Sequence, residues 1–223
     1  MKRRTLDLII SGGGLVLAVV LLALGLVLQN QANFAKDYAA TQLGAQLITM
    51  PAADALGGAD AQPGGDCLVK FGQGDADARL MTTGAQAECY ANQYIAFHMR
   101  EAATAAGYEG ATYSTLGGIT RGIQSQIDEA TTAGTDTTEL TAQLTAANAL
   151  RDTMFKGETL RGLLLTTYGF SVFAERLDQA ALLAYIAAAV LLVLSIAGFV
   201  HAFRTPREEV ILTNLNTQST PTV

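Results

Sequence analysis

Charge is scarce in this chain. Lys, Arg, Asp and Glu make up 15% of its 223 residues, hydrophobic residues make up 50%, and the mean hydropathy is +0.27. A soluble domain is rarely so apolar with so few charges, and the composition directs attention to membrane segments. Histidine is scarcer still, with two residues, His98 and His201, and cysteine matches it with Cys67 and Cys89. So few imidazoles and thiols suggest no His/Cys or Ser/His/Asp arrangement. Neither G-x-S-x-G, H-E-x-x-H nor a Walker pattern occurs, and no catalytic residue, cofactor or metal is expected. Strand-like alternation of any length is also missing.

What the chain does have is two long apolar runs. Leu8 to Leu28 carries no charge, and Ala180 to Phe203 carries only His201, near its end. Crossing ~30 Å of hydrocarbon takes roughly 20 apolar residues, which both runs supply, and lipid obliges each to be helical. A cleaved signal would have an h-region of about 7–15 residues and a small-residue cleavage site. The first run is longer and no A-x-A follows it directly, so it reads as a retained anchor. Lys2, Arg3 and Arg4 precede the first run, and Arg204 and Arg207 follow the second. Positive charge stays inside, so the expected plan has a cytoplasmic N-terminus at 1–7 and a span at 8–28. An extracytoplasmic domain at 29–179, a span at 180–203 and a cytoplasmic tail at 204–223 complete it. The middle segment holds nine Lys/Arg and seventeen Asp/Glu, a balance of −8. That excess of acid argues against nucleic acid as a partner.

The middle segment reads as an all-α bundle, so the fold class is two transmembrane helices flanking a helical domain. The first helix continues past the membrane through Phe34 and Tyr38 before Pro51 breaks it. Residues 52–66 and 72–84 read as loops, with Cys67–Phe71 as a short extended piece. A helix from Ala85 to about Ala106 carries Tyr90, Tyr94 and Phe97 on one stripe and stops at Gly107. Leu116 to Ala133 shows a 3.6-residue stripe and stops at Gly134. Asp136 with Glu139 suggests a capping box for a helix bearing Leu140, Leu144 and Met154. Glu101 and Arg151 sit on apolar stripes, where each is expected to lie near a helix end and reach water.

Three constellations stand out. Cys67 and Cys89, both on the expected outer side, read as a disulfide rather than a zinc site, because only His98 lies nearby in sequence. Small residues recur every seven positions at Ser11, Ala18 and Gly25, with Gly14 beside them. The second run repeats this at Ala181, Ala188 and Ser195, with Ala184 alongside, and such faces let transmembrane helices approach closely. The stretch GETLRGLLLTTYGF, residues 157–170, is too short to cross a bilayer. It reads as a short amphipathic helix over 158–168, with Leu160, Leu163, Leu164 and Tyr168 buried and Glu158 and Arg161 pointing away. Gly169 would stop it and Ser171 cap the next helix, making the segment a candidate docking point.

MKRRTLDLIISGGG and GETLRGLLLTTYGF, with the two-span layout, resemble a family of uncharacterised actinobacterial membrane proteins. Some members carry the name aromatic ring-opening dioxygenase. Non-haem iron of that kind calls for two His and a carboxylate together, whereas His98 and His201 are expected on different sides or depths. The resemblance implies a bacterial plasma-membrane protein and no activity. The residues point to a non-enzymatic accessory or scaffold protein. Its partners would be the lipid bilayer and another membrane or envelope protein, with a sensor as the alternative.

Overall fold

The structure is a computed structural model and describes residues 2–59 and 65–206. Among the described residues the architecture is all-helical apart from isolated bridges, such as that between Thr49 and Leu80. Helix α1 runs Arg3–Ala45, a 3-10 turn spans Ala53–Ala59, and α2 spans Asp66–Phe71. Helix α3 (Gly84–Cys89), a π-helical segment (Tyr90–Ile95) and α4 (Ala96–Ala105) follow head to tail. The long helices α5 (Tyr113–Ala133) and α6 (Thr138–Arg204) complete the chain. Two compact units result: residues 1–34 with 174–223, and residues 35–173.

In the first unit, α1 and α6 are long and apolar enough to cross a membrane. Their buried positions recur every seven residues, at Ser11, Ala18, Gly25 and Ala32 on α1 and at Ala174, Ala181, Ala188, Ser195 and Ala202 on α6. Ala184 is buried on the same side. A seven-residue period keeps one seam facing its partner if the helices wind gently around each other. The pairing is antiparallel: Ser11 meets Gly198, Gly14 meets Ser195, and Gly25 meets the ring of Tyr185. A Cβ on Gly14 would lie 2.5 Å from Ser195 Oγ, and one on Gly25 would lie 2.6 Å from the Tyr185 ring. At these glycines the backbone of one helix lies directly against a side chain of the other. Apart from Tyr185 in the seam, bulky side chains such as Val16, Val19, Leu183 and Val193 face outward, each more than half exposed. Exposed apolar side chains thus run along both helices in this unit.

The second unit is built on a core of Leu43, Met50, Leu68, Met81, Leu116 and Met154, joined by Ala and Cys89. Two helix ends are set by glycine in the left-handed region. Gly107 (φ 78°) ends the α3–α4 run, with the Tyr108 N–H donating to Ala103 O, and Gly134 (φ 70°) ends α5, with the Thr135 N–H donating to Ala130 O. Both are the six-to-one closure in which glycine avoids a Cβ clash.

Several local expectations are corrected. Cys67–Phe71 is helical rather than extended, because Asp66–Phe71 buries Leu68 and ties back through Gly72 N–H to Leu68 O. The preceding loop contains the 3-10 turn; residues 60–64 lie outside the described residues. Helix α6 begins at Thr138, and Asp136 accepts from the Thr138 N–H, two residues on, in place of the capping box with Glu139. The Thr138 hydroxyl, and after it that backbone bond, hold the Asp136 carboxyl below its usual range. Arg151 lies inside α6, not at an end; its guanidinium stacks on Tyr113 at 4.5 Å and donates to the Tyr113 hydroxyl. Glu101 is exposed on α4. Of the expected tail, 207–223 lies outside the described residues.

Candidate docking site on the long helix

The largest departure from the sequence reading concerns residues 157–170. They form no separate short helix: α6 is continuous from Thr138 to Arg204, and Gly169 and Ser171 sit inside it. Glycine within a helix costs about 1 kcal/mol relative to alanine. Packing on both sides outweighs that, since Leu164 and Ala174 are buried at 3% and 0% exposure. Ser171 turns its hydroxyl to Tyr168 O, within its own helix.

The facing also differs. Ala147, Leu150, Met154, Gly157, Arg161 and Leu164 turn inward at alternating spacings of three and four, as the core side of a long helix requires. Leu164 is buried as expected, but Leu163 is 64% exposed, and Leu160 and Tyr168 are more than a third exposed. Leu165 packs on the core. Glu158 is exposed, whereas Arg161 points into the domain.

Arg161 has a definite task there. Its Nε donates to Ala91 O at 3.1 Å and its Nη2 to Asn92 Oδ1 at 3.3 Å, while Nη1 grips both oxygens of Glu158. Asn92 in turn donates to Glu88. Ala91 and Asn92 belong to the π-helical segment, whose widened turn is an uncommon feature concentrated at functional sites. The physical cause is visible in the burial pattern. Ala87, Ala91, Ile95, Met99 and Ala103 are buried every fourth residue. A straight α-helix would swing that series by about 40° per step, and a wider turn takes up part of the drift. Sequence reasoning missed this segment, although the constant spacing of four was available.

Close approach holds the site together. Gly84 lies against Ser171 and the Tyr168 backbone, and a Cβ on Gly157 would fall 2.5 Å from Met99 Sδ. Between α4, the turn before α5 and α6 lies a cleft of about 300 Å³, lined by Met99, Arg100, Thr112, Met154, Glu158 and Arg161. Tyr90 stacks on Tyr94 at 4.7 Å, and burial, assisted by the neighbouring phenol, raises its pKa. His98 rests edge-on against Tyr94 and Phe97 in this unit, while His201 pairs with Asp7 in the other. Cys67 and Cys89 are bonded, tying α2 to the end of α3.

Opposite the core face, α6 presents Phe155, Leu163, Phe170 and Phe173 to the outside at 52–64% exposure. Thr159, Gly162, Thr166 and Gly169 lie among them, so charge is sparse along this strip. No known protein family, curated protein or solved structure matches this chain.

Proposed function

We propose that this is a non-enzymatic integral membrane protein that serves as an accessory or scaffold, its outer helical domain binding another membrane or envelope component. The observation that carries the reading is the exposed apolar strip of α6, Phe155, Leu163, Phe170 and Phe173. Contiguous apolar surface of this kind marks interaction sites. Charged residues near the spans favour cytoplasmic termini and an outer 29–179 segment. The resemblance noted in the sequence adds a bacterial plasma membrane as the setting.

Two measurements test this. A photocrosslinking residue at Phe170 should form one discrete adduct in living cells, and the same residue at exposed Gln124 on α5 should form none. A monodisperse chain with no adduct at Phe170 would sink the scaffold reading. For orientation, an impermeant maleimide should label Gln124→Cys in intact cells and leave Thr5→Cys untouched. The reverse pattern removes the topology.

A sensor is the second reading, favoured by the uninterrupted course of α6 from the outer core into the second apolar run. Small helix shifts can travel along such an element.

A further inference from the structure

The small-residue seam between α1 and α6 has a weakness. It repeats every seven residues on both helices, so sliding one helix by a heptad largely recreates it. Repeating seams of this type need a polar or steric feature to choose one register. Tyr185 against Gly25 is one steric peg. Two polar pairs add to it. Asp7 Oδ2 lies 3.1 Å from His201 Nδ1, and Gln29 Nε2 donates to Asp178 Oδ1 at 2.7 Å. A one-heptad slip in one direction sets Asp7 opposite Leu194, and in the other sets Gln29 opposite Tyr185. Either leaves polar groups facing apolar ones, a strongly disfavoured arrangement at membrane depth.

Their positions along the helices carry a second message. Asp7 and Gln29 are about 33 Å apart on α1 and Asp178 and His201 about 35 Å apart on α6, at 1.5 Å per residue. A bilayer's hydrocarbon is ~30 Å thick. The stretch between the pairs is uncharged on both helices. We propose that Asp7–His201 and Gln29–Asp178 are interfacial clasps, which fix the register of the α1–α6 hairpin and mark the two levels at which it meets the lipid headgroups. This inference rests on the membrane reading above.

Spin labels test both parts on the full chain in lipid nanodiscs. With labels at Val20 and Val200, the native protein should give one distance population. Replacing all four clasp residues by Leu should add a population displaced by up to about 10 Å, the rise of seven residues. Exchanging the partners, Asp7→His with His201→Asp, should restore a single population. An unchanged single population in the four-Leu variant overturns the register lock. For the levels, single labels at Ile9 and Val27 should be more accessible to oxygen than to a water-soluble nickel chelate. Labels at Thr5 and Gln31 should show the opposite. A boundary elsewhere overturns the interfacial placement. Nickel access at all four positions instead rejects the membrane reading, while the distance measurement still reports on register.

Discussion

Replacing Leu164 by Asp should unfold the 35–173 unit, and replacing its neighbour Leu163 by Asp should leave that unit folded. Leu164 is 3% exposed and Leu163 is 64% exposed, although they are adjacent in one helix. Losing a buried Leu forfeits about 1.5–3 kcal/mol of burial, and placing a carboxylate in the vacated core adds the cost of desolvating a charge. The sum is at least about 4 kcal/mol, a large share of the stability of an ordinary domain. Leu163→Asp meets solvent and should stay within about 0.5 kcal/mol of the native protein. The proposed docking role separates the two further. Leu163→Asp should abolish the Phe170 crosslink while thermal unfolding in nanodiscs is unchanged. If Leu163→Asp melts the domain as Leu164→Asp does, the facing described for α6 is wrong. If it leaves both melting and crosslinking intact, the apolar strip is not the docking surface.

That pair of residues also shows where the sequence was readable and where it was not. Helix ends at Gly107 and Gly134 were legible because a left-handed glycine closes a helix through its own neighbours. The small-residue repeat on α1 and α6 was legible because its period is long and regular. Residues 157–170 misled because the local signals conflict with packing elsewhere. Gly169 and Ser171 look like punctuation, yet Leu164 and Ala174 are held from either side. Three leucines and a tyrosine look like a buried face, and Arg161 looks like a solvent residue. The true inward face includes Arg161 because a π turn on another helix offers it the Ala91 carbonyl. That acceptor is 70 residues away in sequence. No local pattern in α6 announces it. The spacing of buried positions upstream, from Ala147 through Leu150 and Met154 to Gly157, continues in phase to Arg161 and Leu164. Extending that phase would have placed the arginine correctly.

Removing the disulfide should have the other large effect. The bond joins Cys67 and Cys89 across a sequence separation of 22, and closing such a loop contributes about 3 kcal/mol in the chain-entropy model. The segment it secures carries little regular secondary structure among the described residues. Among the described residues between Gln46 and Thr83, regular structure amounts to a 3-10 turn and the six-residue α2. Helices that short do not persist alone. A few backbone bonds tie it in: Met50 N–H to Arg79 O, Ala53 N–H to Gly72 O, and Met81 N–H to Ile48 O. Yet it supplies Met50, Leu68 and Met81, each buried to 1% or less, to the core. Cys67→Ala with Cys89→Ala should therefore lower the Tm of the 35–173 unit by roughly 10 °C, as expected for a unit of this size. Amide exchange should rise first across 46–83, while α5 and the part of α6 before Ala174 stay protected longer. The bond also bears on orientation, since an oxidised pair belongs outside the reducing cytoplasm. Thiol trapping in intact cells should find neither cysteine free. Two free thiols in freshly denatured, unreduced protein would put this domain on the wrong side of the membrane. An unchanged Tm in the double-alanine variant would show that the packing of Met50, Leu68 and Met81 holds the segment without the bond.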